Sequence, residues 1–182
     1  MAKLVSNVYG DALIQVAMAK KNIDETFKEI ETLRIVFREH PELSKVLASP
    51  KIVREEKVET MKAIFSGSVS DEIMGFLVMV VEKGRQDQLE AIFDYFISEY
   101  KEYKNIGLAF VVSAIELSEA QKLALLEKLL ACTNYIKFEM DYTVDTALIG
   151  GMTIRIKDRV IDSSIKTKIH ELKKNLLKIQ LA

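Results

Sequence analysis

The spacing of apolar residues changes once along this chain, near Asn105, and this change limits the folds that the sequence can adopt. Before Asn105, apolar residues recur at intervals of three and four, the pattern of helices with one buried face. After it, a nearly continuous apolar run at Ile106–Ile115 predicts a buried strand, and strict alternation over 136–145 predicts another. We therefore expect a helical part followed by a part that combines helices with strands.

Proline and glycine residues divide the first part into helices with short connections. Pro41 and Pro50 each suit the first turn of a helix, whereas Gly67 and Gly84 suit the left-handed residue that follows one. About six helices joined this closely predict a helix bundle over residues 1–105.

Two pairs of residues have the spacing of a capping box, in which side chains and backbone at a helix start satisfy each other's hydrogen bonds. Asn22 with Glu25 predicts the start of the second helix. Ser118 with Gln121 predicts a later helix that continues to about Thr133. This later helix is expected to turn four leucines inward: Leu123, Leu126, Leu129 and Leu130.

Residues 106–182 are expected to form a small α/β unit with a short sheet and a terminal helix. The alternating strand has an expected partner strand at 152–156, and Val160-Ile161 is expected to pair back. Asp162 or Ser163 is predicted to cap the terminal helix. The predicted fold class is α+β, mostly α: an N-terminal six-helix bundle followed by the C-terminal α/β unit.

The charge of the chain is near zero overall but uneven along the sequence. A net charge of −1 provides no basic field for nucleic acid, so no nucleic-acid partner is expected. Residues 151–182 carry eight Lys/Arg against three Asp/Glu, a net of +5, and the other 150 residues carry 18 against 24, a net of −6. The basic segment has two open interpretations, contact with an acidic partner surface or a solvated face.

The sequence contains no recognisable motif for catalysis, a cofactor or a metal. His40 and His170 lack a metal-ligand spacing, and Cys132 has no second cysteine to pair with. Gly150-Gly151 precedes a predicted strand, which favours a close backbone approach over a phosphate-binding loop. No catalytic, cofactor-binding or metal-binding residue is therefore predicted. The apolar runs are far shorter than the roughly 18 residues of a membrane span, so no direct membrane insertion is expected.

Several segments in order resemble one family, the delta subunits of bacterial F-type ATP synthases, which are the counterparts of the mitochondrial oligomycin-sensitivity-conferring protein. The segments that carry this resemblance are Tyr9–Leu13, His40–Leu43, Val81–Arg85, Leu148–Ile154 and Val160–Ser164. Each is weak alone, but their order and spacing are specific, and the resemblance extends over essentially the whole chain. The chain departs from the family pattern at Gly10, where alanine is usual, at His40, where asparagine is common, and at Ser163, where glycine is usual.

The resemblance implies a non-catalytic stator subunit that joins the catalytic head to the peripheral stalk, so that ion-driven rotation is coupled to ATP synthesis. It implies a groove between the first and fifth helices that receives the N-terminal helix of an alpha subunit. The implied groove residues are Tyr9, Ala12, Leu13, Val16, Phe76, Leu77, Val80 and Gly84. Each position has a second open interpretation, as part of the bundle's own core.

The resemblance also implies that the C-terminal unit receives the stalk b subunits. The implied contacts are Ile165, Lys166, Ile169, Leu172, Lys173, Lys174 and Leu176. A self-packed helix whose lysines offset its own dipole is the other interpretation of this segment. The implied location is the cytoplasmic face of the cell membrane, reached through the complex.

Three other classes of function remain as alternatives to the stator. One is a cytoplasmic helical adaptor that binds another amphipathic helix. A second is an enzyme whose site has no recognisable motif, which would need a concave pocket with converging ionisable groups. A third is a regulatory adaptor that binds RNA or a transcription factor through its basic C-terminal segment.

Overall fold

The computed structural model describes the backbone of residues 2–180 and the side chains of residues 5–174. The chain forms two compact units, Met1–Tyr100 and Lys101–Ala182. The boundary between them lies inside the sixth helix, a few residues before the change of hydrophobic spacing at Asn105. The predicted fold class, α+β and mostly α, is confirmed.

Residues 2–103 contain six α-helices and one 3₁₀ turn. They are α1 (Ala2–Ala19), α2 (Ile23–Glu39), α3 (Pro41–Ala48), α4 (Arg54–Phe65), α5 (Asp71–Glu82), the 3₁₀ turn (Gln86–Gln88) and α6 (Leu89–Tyr103). Pro41 opens α3 as predicted. Pro50 does not open α4, because residues 50–52 form a turn and the helix begins at Arg54, where Glu55 and Glu56 complement the helix dipole.

The core of the first unit is built around stacked aromatic rings. The ring of Phe37 on α2 packs against Phe65 of α4, with centroids 6.1 Å apart, and meets Phe93 of α6 edge-on at 5.7 Å. Phe27 of α2 stacks on Tyr100 of α6 at 4.0 Å. Because these contacts join helices far apart in sequence, they fix the bundle's topology as well as filling its interior.

Polar side chains connect α2 to the helices beside it. The Glu29 carboxylate accepts hydrogen bonds from the Ser70 backbone N–H at 2.8 Å and from the Ser70 hydroxyl at 2.9 Å, which caps the start of α5. Tyr100 donates to the Asp24 carboxylate at 2.6 Å, and burial together with this bond raises the pKa of Tyr100 to about 12. The predicted capping box at Asn22 is wrong: its side chain makes no cap hydrogen bond.

The second unit places α7 on one face of a sheet. In the part of the chain that the structure describes, it comprises β1 (Ile106–Ser113), α7 (Glu119–Cys132), β2 (Lys137–Val144), a 3₁₀ turn (Thr146–Leu148), β3 (Met152–Ile156), β4 (Arg159–Asp162) and α8 (Ile165–Gln180). The strand order is β2-β1-β3-β4. β1 and β2 are parallel and joined through α7, whereas β1–β3 and β3–β4 are antiparallel. β3 therefore pairs with β1, not with the alternating strand β2, and β4 pairs back on β3 as predicted.

The predicted capping box of α7 is confirmed, but its predicted inward face is partly wrong. Ser118 and Gln121 exchange both bonds of the box. Leu129 is buried against the sheet, yet Leu123 is exposed. The neighbouring Lys122 lies over the sheet instead, with its ammonium 5.3 Å from the centre of the Tyr142 ring.

Replacing Phe37 with alanine tests whether the aromatic stack holds the first unit together. Phe37 is 1% exposed, so Phe37→Ala is expected to lower the free energy of unfolding by about 3–5 kcal/mol through the cavity it leaves. Ile35 on the same helix is 51% exposed, and Ile35→Ala is expected to change it by no more than about 0.5 kcal/mol. Urea denaturation followed by circular dichroism measures both values, and similar losses in the two variants would contradict the assigned core.

Candidate helix-binding surfaces

Two side-chain contacts join α1 and α5, and their order along the helices shows that the two run in opposite directions. The ring of Tyr9 on α1 meets Phe76 on α5 edge-on, with centroids 6.5 Å apart. Near the end of α1, the Lys20 ammonium pairs with Glu72 in the first turn of α5, and this hydrogen bond is the main cause of the lowered pKa of Glu72. The two contacts fix which sides of the helices face each other.

The predicted groove residues divide between the core and the surface. Four of them, Leu13, Phe76, Leu77 and Val80, are buried in the bundle core. Tyr9 is half-buried against that core. Ala12, Val16 and Gly84 are exposed. The groove itself remains a prediction, but its buried members can act only as its floor.

On α1, a strip of exposed apolar residues borders α5. Val8, Ala12 and Val16 are exposed and four residues apart, so they form one line along the helix. At about 100° per residue, Val16 lies roughly 20° and Ala12 roughly 60° around the axis from Tyr9, which touches α5. Val8 is a surface member of this strip that the sequence analysis did not include in the groove.

On α5, the matching border consists of Gly75 and Met79. Both are exposed, and Met79 lies about 60° around the axis from Phe76, which touches α1. Because the two helices run in opposite directions, the same rotation about each axis leads to the same side of their contact. The α5 border and the α1 strip therefore lie on one side of the line where the helices meet. We call these five residues, Val8, Ala12, Val16, Gly75 and Met79, the α1–α5 groove. A Cβ added at Gly75 would meet no atom within 4 Å, so a partner backbone has room to approach there.

The start of α8 is fixed to the sheet by a compact set of hydrogen bonds. The Asp162 carboxylate accepts from the Ser164 backbone N–H at 2.8 Å and from the Thr167 hydroxyl at 2.7 Å. The Ser164 hydroxyl in turn accepts from the Thr167 backbone N–H at 3.2 Å, so Ser164 is the capping residue and Asp162 supports it. These bonds, with Thr167 the largest contributor, lower the pKa of Asp162 to about 2.

Gly150 and Gly151 make the close approach that their position predicts. Gly151 adopts a left-handed φ of 78°, and a Cβ there would overlap the Ser163 carbonyl. A Cβ at Gly150 would overlap the Ile165 side chain, and the Gly150 carbonyl accepts from the Ile165 N–H at 2.9 Å. The left-handed corner is therefore at Gly151, and serine at position 163 does not obstruct the turn.

From its first residue onwards, α8 presents an apolar face and lysines to solvent. Ile165, Ile169 and Leu172 are exposed, the last two by 52% and 62%. The other predicted stalk contacts Lys166, Lys173 and Lys174 are exposed as well. Leu176 falls outside the described side chains. The predicted contacts thus share one helix, and the stalk assignment stays a prediction.

A cavity of about 610 Å³ lies in the second unit, at the end of the sheet beside the β3–β4 turn. The Lys157 ammonium on its wall pairs with the Glu102 carboxylate, and that hydrogen bond is the main cause of the raised pKa of Lys157. A lysine held in its charged form is a poor general base at neutral pH. Within the described residues, no group of three or more His, Cys, Asp or Glu is arranged to hold a metal ion.

The fold and these surfaces define a class of protein: a helix bundle followed by a small α/β unit, with an exposed apolar helix face in each. A family model described as the ATP synthase delta (OSCP) subunit matches residues 5–176. This chain belongs to the ATP synthase delta (OSCP) subunit family, which confirms the resemblance seen in the sequence. No helix in the described part of the chain has the length and apolar character needed to span a membrane.

Individual relatives agree with the family assignment. The chain is 51% identical over 181 residues to an ATP synthase subunit delta of Lachnoclostridium phytofermentans, and the alignment covers 100% of both chains. It is 32% identical over 175 residues to an ATP synthase subunit delta of Prochlorococcus marinus (strain MIT 9303), covering 96% of each. A chain in the cryo-EM structure of the Toxoplasma gondii mitochondrial ATP synthase hexamer shares the fold, with a TM-score of 0.75, 18% identity and coverage of 94% of this chain and 97% of that one.

The lowered pKa of Asp162 predicts how the α8 cap responds to pH. Because the pKa is about 2 in the folded state and about 3.9 when unfolded, the charged carboxylate stabilises the fold above about pH 4 and loses this effect as the pH falls towards 2. Asp162→Asn is expected to lower the thermal midpoint at pH 7, with a difference from the parent that shrinks below pH 4. Asp141→Asn, at an exposed carboxylate on β2, is the control. A difference that stays constant from pH 7 to pH 2 would contradict the assigned role.

Proposed function

We propose that this chain is a non-catalytic stator subunit of an F-type ATP synthase, which links the catalytic head to the peripheral stalk. Family membership supports the complex, and the observation that carries the proposal is the pair of exposed apolar helix faces, one in each unit. A subunit that keeps the catalytic head from rotating must be attached both to the head and to the stalk, because an attachment to only one of them cannot hold the head in place. The subunit reaches the cytoplasmic face of the membrane through the complex.

In this proposal, the α1–α5 groove receives the amphipathic N-terminal helix of an alpha subunit. Val8, Val16 and Met79 supply apolar contacts along the two borders, and the small residues Ala12 and Gly75 allow close approach. Buried Leu13 and Phe76 support the floor from below. Large exposed apolar side chains in a line mark an interaction surface more strongly than the same residues scattered singly.

The α8 face is proposed to receive the stalk b subunits. Its exposed apolar residues would be buried in the complex, and Lys166, Lys173 and Lys174 would meet acidic side chains. The basic net charge of residues 151–182 supports an acidic partner. The firm attachment of the first turn at Ser164 gives such a partner a rigid base.

A charge placed in the α1–α5 groove tests attachment to the head. Titration calorimetry of the full chain with a peptide copy of the alpha N-terminus is expected to show binding. Val16→Glu is expected to weaken it by about 2 kcal/mol, roughly thirtyfold in Kd, because the carboxylate would be buried without a partner.

Ile35→Glu is the matched control, because Ile35 is an exposed isoleucine of α2 that lies outside the α1–α5 groove. It is expected to bind the peptide like the parent chain. Absence of binding by the parent, or equal losses in both variants, would contradict the assigned groove. Both residues are exposed, so both variants should keep the helical circular dichroism spectrum of the parent.

Attachment to the stalk is tested by salt and by substitution on α8. Binding of the full chain to a soluble b subunit is expected to weaken as ionic strength rises from about 0.05 to 0.5 M, because the lysines attract the partner through solvent. Ile169→Asp is expected to weaken binding at every salt concentration. Ile115→Asp, at a residue that is 72% exposed outside α8, is expected to have no effect. If neither added salt nor Ile169→Asp changes the affinity for the b subunit, the α8 face is not the binding site.

A further inference from the structure

We propose that α8 binds its partner helix through a coiled-coil seam, and that this partner is a helix with acidic residues flanking its apolar seam rather than a second copy of this chain. The inference rests on the proposed function, because it specifies the chemistry of the stalk helix that the α8 face would receive.

The apolar residues of α8 follow the alternating four- and three-residue spacing of a coiled coil. Ile165, Ile169 and Leu172 are separated by four and then three positions, and the sequence continues with Leu176 and Ile179 at four and three. This spacing places Ile169 and Leu176 at position a of a heptad, and Ile165, Leu172 and Ile179 at position d. A helix packed on a globular core carries a wider apolar stripe.

The described part of this seam is open to solvent. Ile165 is the best-covered of its residues, because its side chain packs at Gly150, and Ile169 and Leu172 are exposed by half or more. The hydrogen bonds that anchor α8 involve its first turn. An amphipathic helix of 16 residues gains most of its stability from packing of its apolar face, so the exposed seam favours a partner helix.

The residues that flank the seam are lysines. In the heptad set by Ile169, Lys166 and Lys173 occupy e positions and Lys168 occupies a g position. All three are exposed, and none pairs with a carboxylate of the described residues. Lys174 falls at position f, on the side away from the seam, so its contribution to recognition is expected to be smaller.

This arrangement opposes pairing between two copies of α8. In a parallel pair, Lys168 of one copy would face Lys173 of the other, and in an antiparallel pair lysine would again face lysine. Like charges across a seam discriminate against the wrong partner, whereas glutamates at the facing e and g positions would form ion pairs. The seam thus selects an acidic helix in either orientation.

Two designed peptides test the inference directly. Both carry isoleucine at a and leucine at d over several heptads; one has glutamate at every e and g position, and the other has lysine. Fluorescence anisotropy with the full chain at low salt is expected to show binding of the glutamate peptide at least about tenfold tighter than that of the lysine peptide. Comparable affinities for the two peptides would overturn the proposal.

Charge-reversal variants test which residues set the preference. The double variant Lys168→Glu/Lys173→Glu is expected to prefer the lysine peptide. The matched control Lys128→Glu/Lys137→Glu changes two exposed lysines outside α8 and is expected to keep the parent preference. Leu172→Ala should weaken binding of the glutamate peptide, whereas His170→Ala, at position b, should not. An unchanged preference in the α8 double variant would overturn the proposal, as would self-association of the parent chain through α8 in sedimentation equilibrium.

The b-subunit measurement separates this inference from the proposed function. If the b subunit binds the parent and the α8 double variant equally, and the glutamate peptide does not bind, the coiled-coil inference fails while attachment to the stalk stands. If the glutamate peptide binds with the expected preference but the b subunit does not bind, the preference of α8 for an acidic helix is confirmed. The proposed attachment of α8 to the stalk b subunits then fails.

Discussion

The packing of Phe37 between Phe65 and Phe93 is the contact on which the first unit depends. It joins α2, α4 and α6 at one point in the interior, so each of these helices must turn its apolar stripe towards the same place. Once those helices are set, α5 is located by Glu29, which caps it at Ser70. The surface groove is a consequence of this order, because it consists of the apolar side chains that remain on α1 and α5 after the core is full.

The rotation of α1 about its axis depends on Gly10, where the sequence resemblance led us to expect alanine. Glycine inside a helix costs about 1 kcal/mol relative to alanine. Here the ring of Tyr95 lies where a Cβ of Gly10 would be, and the Tyr95 hydroxyl donates to Asp11 at 2.8 Å, a bond that raises the pKa of Tyr95 to about 12. The close approach of the ring offsets the loss of helix propensity and fixes the rotation of α1, which decides that Val8, Ala12 and Val16 face outwards.

Sequence patterns predicted the elements of this fold well where the decisive partners were local. Ser118 and Gln121 form their box because both residues belong to the same helix turn. The equivalent prediction at Asn22 failed because the Asn22 backbone, with φ −115° and ψ 25°, lies outside the extended conformation of a capping residue, and the Glu25 N–H donates to the Asn22 carbonyl instead of to its side chain. Helical spacing likewise located the stripe containing Leu13 and Val16, but which of the two is buried depends on neighbouring helices that spacing does not describe.

The corner between β3 and α8 has a mechanical consequence for any load that enters through the terminal helix. Backbone bonds from Ser163 to Met152, from Ile165 to Gly150 and from Ala114 to Gly151 lie side by side where the helix leaves the sheet. Tension along α8 would be shared among these bonds and passed to the central strand β1, to which Ala114 is adjacent. A joint of this kind yields by breaking several bonds together instead of one after another, which would suit the load that the proposed stator role places on α8.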